Sequence, residues 1–214
     1  MSKQTITMVV IGAVIIIGAF ILFKKSPTTN APAVNVQNLV TSTDHMTGSS
    51  TAKVQLVEFG DYQCPACGYA YPAIKQVVDA HASDPNFNFV FRNFPLPMHA
   101  NALAAAQAAE AAGEQGKYFE MHDLLYTHQN DWAELTDPTT VFEGYAQQIH
   151  LDTQKFKTAM TDPKITNMLL SQRQQAMDMG IAGTPTFFLN NQQLPGIPTA
   201  DELEKLITNA ENGS

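Results

Sequence analysis

Two cysteines with two residues between them lie where a predicted strand gives way to a predicted helix, and this arrangement constrains the fold more than any other feature. Residues 54–59 are rich in β-branched and aromatic side chains, which indicates a strand. A helix is predicted to begin at Cys64-Pro65, because proline at the first helical position lacks only an N–H that the helix does not need. A kink is expected at Pro72. A second strand at residues 87–92 completes a βαβ unit of about 40 residues.

A long helical block follows this unit. Residues 100–112 include nine alanines, and alanine is the strongest helix former. Another helix is predicted at residues 117–128. Aspartate-proline pairs at 137–138 and 162–163 each have the pattern of an N-cap followed by a first-turn proline, so each is predicted to begin a helix. Asp152 is expected to cap a shorter helix that lies between these two.

The last part of the chain returns to strands. Residues 186–189 are predicted to form a strand, and residues 192–194 a short partner strand after a turn. Thr199 and Glu202 have the spacing of a capping box for a final helix. The predicted fold class is therefore α/β, with a helical block inserted between two groups of strands.

The N-terminal residues differ sharply from the rest of the chain. Residues 6–23 carry no charge and would span about 27 Å as a helix, close to the roughly 30 Å hydrocarbon core of a bilayer. A cleavable signal peptide is the alternative, but the run exceeds the usual apolar length and the Ala31-Pro32-Ala33 site lies far downstream. We therefore expect residues 1–25 to be one N-terminal transmembrane helix. Residues 26–50, rich in Ser, Thr, Asn, Pro and Ala, are expected to be a flexible linker.

The charge of the chain is strongly asymmetric. All 20 acidic residues follow Lys25, against nine Lys and Arg, so this portion carries a net charge of −11. Such a charge argues against binding to nucleic acid or to anionic lipid. A short tail before the apolar run and a large domain after it are typical of a single-pass protein of the cell membrane whose domain lies on the extracytoplasmic side. The flanking lysines barely bias the orientation.

The chemistry of the sequence is concentrated at Cys64-Pro65-Ala66-Cys67. Two thiols at this spacing can form a disulfide across the first turn of a helix. The helix N-terminus offers unpaired N–H groups and the positive end of its dipole to the first thiol, and such cysteines have pKa values of about 3.5–7.5. Cys64 is therefore predicted to be the exposed nucleophile and Cys67 the shielded, resolving thiol. Pro65 and Ala66 are expected to support the site.

The cysteine pair has two other interpretations. A closed zinc site needs four ligands, and the sequence offers neither a second cysteine pair nor a clustered histidine pair, so neither a metal nor a cofactor is expected. A structural disulfide is the second interpretation, but a loop this short constrains the unfolded chain little. In an exported protein, the position of the pair between a strand and a helix favours a redox-active site.

Glu58 is a further candidate catalytic residue. It alternates with Val54 and Leu56 along the predicted strand, so it is expected on their apolar face. Burial raises the pKa of a carboxyl, which suits it to exchange protons with a nearby thiol. The alternative is an edge strand on which Glu58 is solvated.

Thr184 and Pro185 are candidate substrate-binding residues. They lie in the segment Gly183-Thr184-Pro185-Thr186, at the start of the last predicted strand pair. A proline there indicates a turn, an ordinary strand entry or a cis peptide bond, which is nearly confined to X–Pro. In the cis form, the backbone of Thr184 would offer strand-like pairing to an extended substrate.

Together these elements resemble the DsbA-like branch of the thioredoxin superfamily. The likeness covers roughly residues 42–210 and is carried by Asp44-His45, Gly48, Ala52–Val54, Val57–Cys67, Arg92–Leu96, His99, the alanine-rich helix up to Gln115–Lys117, and Gly183–Phe187. The resemblance implies a thioredoxin fold over residues 51–97 and 181–214, with residues 98–180 as an inserted helical subdomain.

The resemblance also implies roles for particular residues. It implies that Glu58 is a buried acid beneath Cys67 and that Pro185 is cis after Thr184. One position departs from the family pattern, because strongly oxidising members often carry His where this chain has Ala66. That departure affects the expected redox poise and leaves the expected fold unchanged.

The predicted function is that of a membrane-anchored protein-disulfide oxidoreductase of the bacterial cell envelope, which introduces disulfides into exported proteins through a Cys64–Cys67 disulfide. The resemblance implies reduced exported proteins as substrates and a quinone-linked membrane oxidase, DsbB-like or VKOR-like, as the redox partner. A monomer is expected. The alternatives are an envelope disulfide reductase or isomerase, and a non-enzymatic tethered chaperone or metal-binding scaffold.

Overall fold

The computed structural model describes residues 39–213 of the 214-residue chain. The transmembrane helix expected in residues 1–25 lies outside the described residues, as does the first half of the expected linker. Within the described part, no helix is long and apolar enough to cross a membrane.

The described residues form a mixed sheet of five strands. In chain order these are β1 (His45–Gly48), β2 (Val54–Gly60), β3 (Phe87–Asn93), β4 (Thr186–Leu189) and β5 (Gln192–Gln193). Their order across the sheet is β1-β3-β2-β4-β5, so β2 is the central strand. β2 and β3 run parallel, whereas β1 with β3, β4 with β2 and β5 with β4 are antiparallel pairs.

Eight helices accompany the sheet within residues 39–213. α1 (Pro65–Ala80) connects β2 to β3, as the βαβ pattern predicts, and contains Pro72. Six helices lie between β3 and β4, and a last one follows β5. They are α2 (Ala102–Gly113), α3 (Tyr118–Thr127), α4 (Gln129–Trp132), α5 (Thr139–Gln148), α6 (Thr153–Met160), α7 (Pro163–Asp178) and α8 (Ala200–Glu211).

Three of the predicted helix caps are confirmed and one is shifted. Asp152, Asp162 and Thr199 each accept hydrogen bonds from backbone N–H groups at the start of their helices. α5 begins one residue later than predicted, with Pro138 as its N-cap. The Asp137 carboxylate instead accepts the Thr139 N–H at 2.9 Å, which is a local turn that competes with capping.

Alternation along β2 divides the core between the two faces of the sheet. Val54 and Leu56 pack in a cluster with residues of α1, among them Cys67. Val57 and Phe59 pack on the opposite face with residues of β4 and α7. Because both faces of the central strand are covered, a polar side chain on it is removed from water.

Residues 39–48 belong to the folded domain, which corrects the predicted linker boundary at residue 50. Leu39 is 3% exposed, and β1 pairs with β3 from His45, opposite Phe91, to Gly48, opposite Asn88. Gly48 has a φ of 88° and lies so close to the β3 backbone that a Cβ would collide with it.

A buried ion pair ties this N-terminal segment to the sheet. The Arg92 guanidinium and the Asp44 carboxylate are 3.2 Å apart, and both side chains are almost fully buried. Arg92 also donates to the Leu39 carbonyl at 3.1 Å and to the Gln175 side chain at 3.0 Å. Its guanidinium lies 5.1 Å from the centre of the Phe59 ring. Removing one partner of such a pair leaves the other charge uncompensated, so the pair holds residues 39–44 in place.

The replacement Asp44→Ala should lower the free energy of unfolding by about 3–5 kcal/mol, because it leaves the buried Arg92 charge without its carboxylate. Urea denaturation of the full chain measures this loss. The matched control is Asp79→Ala, which removes one of the two carboxylates that pair with Lys75 on the surface of α1 and should change stability by about 0.5 kcal/mol. Equal losses in the two variants would contradict a structural role for the buried pair.

Candidate functional site

Cys64 and Cys67 lie at the start of α1, as the sequence predicts. Cys64 is the N-cap residue, with a φ of −65° and a ψ of 121°, and Pro65 is the first helical residue. Both cysteines are free thiols. Cys64 is 7% exposed and Cys67 is completely buried. Cys64 is thus the more accessible thiol, although it is more enclosed than the sequence analysis expects.

The start of the helix lowers the pKa of the Cys64 thiol to about 5. The hydrogen bond from Cys67 is the largest cause. The Thr184 side chain and the backbone N–H groups of Cys67 and Ala66 act in the same direction, and burial opposes them. These N–H groups belong to the unpaired set that every helix N-terminus presents. Cys64 is therefore a thiolate across the neutral pH range.

Glu58 is buried beside the cysteines. Its neighbours across the sheet are Phe91 and Phe187, which belong to the same cluster as Cys67. Glu58 is 3% exposed, and burial, followed by the charge of Cys64, raises its pKa to about 8. The alternative of a solvated edge strand is therefore wrong, because β2 is central.

Cys67, like Glu58, has a raised pKa and resists ionisation. Burial is the main reason why its pKa is raised, and the hydrogen bond to Cys64 and the negative charge of Glu58 add to it. Each of Glu58 and Cys67 thus opposes the ionisation of the other. When one of the two groups loses its proton, the other can supply one, so the pair is suited to passing a proton between them.

The loop before β4 lies against the first cysteine. The Cys64 sulfur lies 3.5 Å from the carbonyl oxygen of Thr184, to which the thiol donates only in its protonated form, and the Thr184–Pro185 peptide bond is cis. A groove lined by Pro185, Thr186 and Phe187 on one side, and by Gln193, Leu194, Pro195 and Gly196 on the other, begins here. The structure thus brings together Glu58, the cysteine pair and the Thr184–Pro185 pair, which lie far apart in the sequence.

Asp61 and His99 form a pair at this site to which sequence reasoning assigned no role. The buried Asp61 carboxylate accepts the backbone N–H groups of Gln63 at 2.8 Å and Leu96 at 2.9 Å, and it lies 2.7 Å from Nδ1 of His99. Burial raises the pKa of Asp61, while these hydrogen bonds oppose the shift. The pair joins the loop before Cys64 to the loop after β3. The sequence signals were the family matches at Val57–Cys67, which includes Asp61, and at His99.

Amide side chains join the cysteine loop to the helical insertion. Nε2 of Gln129, in α4, donates to the carbonyl oxygens of Tyr62 at 2.7 Å and Cys64 at 3.0 Å. Gln63 donates to the Ala133 carbonyl at 2.6 Å and accepts the Asn101 N–H at 2.5 Å. These contacts fix the backbone that carries the thiols, and no sequence motif marks them.

Among residues 39–213, no set of three or more acidic, histidine or cysteine side chains lies close enough to hold a metal ion. The groups that lie next to the two cysteines are a buried acid, backbone N–H donors and amide side chains.

A family model described as thioredoxin matches residues 40–209. The chain belongs to the thioredoxin family. It resembles a crystal structure of a thioredoxin-like oxidoreductase from Silicibacter pomeroyi DSS-3, with 27% identity and a TM-score of 0.66 over 83% of this chain and 99% of that one. It also resembles the thiol-disulfide exchange protein α-DsbA2 of Wolbachia pipientis, with 26% identity and a TM-score of 0.67 over 80% of this chain and 89% of that one. The DsbA-like resemblance inferred from the sequence is confirmed.

The chain is also similar to part of much longer proteins. It is 36% identical over 172 residues to the Na(+)/H(+) antiporter NhaA 1 of Salinispora arenicola, which is 80% of this chain and 25% of that protein. The chain spans about a quarter of the length of the curated relatives that it matches. Ion transport by those proteins is therefore not assigned to this chain.

Alkylation of the reduced chain by iodoacetamide should modify Cys64 with a half-maximal rate near pH 5, because its pKa is about 5, and should spare Cys67. A second change is expected near pH 8, where Glu58 ionises next to the thiolate. The variant Glu58→Gln cannot ionise, so it should keep the first transition and lose the second. Mass spectrometry of the modified chain distinguishes the two thiols. A first transition above pH 8 would contradict the assignment of Cys64 as a stabilised thiolate.

Proposed function

We propose that this chain is a protein-disulfide oxidoreductase that donates its Cys64–Cys67 disulfide to substrate proteins. The observation that carries the proposal is the opposite behaviour of the two thiols in one helical turn. Cys64 has a lowered pKa and some exposure, whereas Cys67 has a raised pKa and is fully buried. The properties of Cys64 suit the sulfur that attacks and is attacked, and those of Cys67 suit an internal resolving thiol.

The proposed reaction proceeds through a mixed disulfide. A substrate thiolate attacks the Cys64 sulfur, which breaks the Cys64–Cys67 bond and releases Cys67 as a thiolate that takes a proton. A second substrate thiolate then attacks the substrate sulfur of the mixed disulfide and releases Cys64 as a thiolate. The substrate dithiol is oxidised to a disulfide, and the enzyme disulfide is reduced to a dithiol.

Glu58 is proposed to carry the proton that Cys67 gains or loses. With a pKa of about 8, it is mainly protonated at neutral pH and can give a proton to the leaving Cys67 thiolate. In the reverse direction the ionised carboxylate can accept the proton. A buried acid with a pKa close to the working pH is suited to both tasks.

Thr184 and Pro185 are proposed to bind the substrate. The Cys64 sulfur contacts the Thr184 carbonyl, so an extended peptide that pairs with this loop would place its own cysteine next to Cys64. The groove that begins at Pro185 is open to the flanking residues of such a peptide.

The stabilised Cys64 thiolate supports the oxidising direction. Only the reduced enzyme carries that thiolate, so the groups that stabilise it make the enzyme a better electron acceptor. A reductase or isomerase with the same two-cysteine chemistry is the alternative, and a non-enzymatic tethered scaffold is a more distant one.

The cellular setting belongs to the proposal as well. We infer that residues 1–25 anchor the chain in the cell membrane, with the catalytic domain on the extracytoplasmic side, where reduced exported proteins are the substrates. Reoxidation requires an electron acceptor, and a quinone-linked membrane oxidase of the DsbB-like or VKOR-like kind fits this requirement. The uncharged run at residues 6–23 supports the anchor, and we propose that the chain acts as a monomer.

The oxidation of a reduced two-cysteine peptide by the full chain tests the enzyme assignment. Cys64→Ser and the double variant Cys64→Ser/Cys67→Ser should lose the activity, because no sulfur remains at the attacked position. Cys67→Ser should trap glutathione or substrate at Cys64, which a non-reducing gel detects. Full dithiol oxidation by the double variant would refute the enzyme assignment, and substrate binding without oxidation in the unaltered chain would favour the scaffold.

The equilibrium with glutathione distinguishes the two redox directions. A reduction potential of about −120 mV is expected for a disulfide donor, and a value of about −270 mV would make the chain a reductase.

A further inference from the structure

The first turn of α1 lacks the features that usually stabilise the start of a helix. Cys64 is the N-cap residue, and in the thiol form its side chain makes no capping hydrogen bond. The fourth helical residue is Gly68, and glycine is a poor helix former. The turn that carries both thiols therefore depends on contacts from outside the helix.

Gln129 supplies such a contact from the helical insertion. Its side-chain NH2 group has two hydrogens, and it donates to the carbonyl oxygen of Tyr62 at 2.7 Å and to that of Cys64 at 3.0 Å. The Cys64 carbonyl also accepts the N–H of Gly68 at 3.1 Å, which is the first hydrogen bond of the helix. One amide therefore holds the loop before Cys64 and the start of α1 together.

Gly68 provides the space in which this amide lies. A Cβ built on Gly68 would overlap with the side-chain oxygen of Gln129, and it would lie 2.9 Å from Cδ and 3.1 Å from Nε2 of the same side chain. The amide thus packs directly on the backbone of α1. A side chain at residue 68 would push the amide away from the two carbonyls to which it donates.

The short helix that carries Gln129 is firmly held in the insertion. Its last residue, Trp132, is completely buried, donates to the Leu125 carbonyl at 3.0 Å and packs with its ring centre 5.2 Å from that of Phe142. The Gln129 carbonyl accepts the N–H of Ala133 at 2.9 Å. Gln129 therefore reaches the thiol loop from a rigid base, so its amide can hold the loop in place.

We propose that Gln129 is a positioning residue of the exchange site, whose amide holds the first turn of α1 around the Cys64 sulfur, and that Gly68 makes room for this amide. The inference rests on the proposed function, in which the reduced enzyme carries a thiolate at Cys64. The N–H groups of the first turn stabilise this thiolate only while the turn keeps its position, because hydrogen bonds weaken steeply as their geometry departs from the ideal. Gln129 acts through that turn and forms no covalent bond.

Two variants remove the contact in different ways. Gln129→Ala deletes the amide, whereas Gly68→Ala displaces it with a Cβ and leaves Gln129 in the chain. Neither replacement changes the charge of the chain. The titratable groups that face Cys64, which are Cys67 from α1 and Glu58 from β2, remain in both variants. A change in the pKa of Cys64 therefore reports the lost contact.

Iodoacetamide modification of the reduced full chain, read by mass spectrometry, gives the midpoint of Cys64 ionisation. This midpoint lies near pH 5 in the unaltered chain. It should rise by about 0.5–1 pH unit in both variants, which is the effect of about one neutral hydrogen bond. In glutathione buffers at pH 7, the ratio of reduced to oxidised enzyme should fall by about 3- to 10-fold, because the thiolate stabilises the reduced form alone.

Matched controls alter an amide and a glycine elsewhere in the helical insertion. Gln115→Ala deletes a side chain that donates to the Asp152 carbonyl at 3.2 Å and accepts the Asp152 N–H at 3.0 Å. Gly144→Ala adds a Cβ within α5, where no atom of the described residues outside that helix lies within 4 Å. Both controls should keep the midpoint and the glutathione equilibrium of the unaltered chain.

The direction of the Gly68→Ala effect separates the proposal from simple helix propensity. Alanine favours a helix over glycine, so without a role for Gln129 this variant should keep the midpoint or lower it. An unchanged or lower midpoint in either variant would overturn the proposal. Urea denaturation measures the stability of each variant, and a loss of stability with an unchanged midpoint would show a merely structural contact, which also overturns it.

Failure of the proposed function has a different signature. If the unaltered chain shows no exchange with glutathione that depends on Cys64 and Cys67, the proposed function itself fails. The alkylation midpoints do not require exchange, so they test the role of Gln129 separately.

Discussion

The central strand β2 is covered on both faces, and the desolvation that follows controls the ionisation of the groups at its end. Desolvation is the largest cause of the raised pKa of both Glu58 and Cys67. Cys64 avoids the same outcome because it is the N-cap of α1, where hydrogen bonds outweigh the effect of burial. One turn of helix therefore holds a thiolate and a neutral thiol side by side. If β2 were an edge strand, water would reach Glu58 and the contrast between the two thiols would weaken.

The helical insertion fixes the geometry of this site by neutral contacts. Gln129 and Gln63 connect the backbone around Cys64 to α4 and to the residues after it. An amide fixes a carbonyl without bringing a net charge near the thiolate. The contacts that position the backbone around Cys64 are therefore largely separate from the charges that act on its thiolate. Asp61 does carry an acid into this region, but its carboxylate is occupied by His99 and two backbone N–H groups. The polar groups of the loop are thereby satisfied, which burial requires.

The parts predicted correctly from the sequence are those fixed by local patterns. Alternation with Leu56 placed Glu58 on the buried face, and the proline after Cys64 marked the start of α1. The missed parts depend on contacts between distant segments. Strand β1, with the sequence HMTG, has no hydrophobic alternation, and its place follows from pairing with β3 and from the Asp44–Arg92 ion pair. The contact of Gln129 with Cys64 spans 65 residues, so no local pattern marks it.

The source of the Cys64 stabilisation bears on the redox direction. In the proposed reaction the disulfide has no charge at Cys64, so each hydrogen bond to its thiolate stabilises the reduced enzyme alone. The donors are the Cys67 thiol, the Thr184 side chain and the backbone N–H groups of Cys67 and Ala66. All but Thr184 belong to the start of the helix, and none depends on the side chain at Ala66. A histidine there would add a positive charge to a stabilisation that already exists. Without that histidine, the proposed oxidase is expected to be a weaker disulfide donor than a family member that carries it.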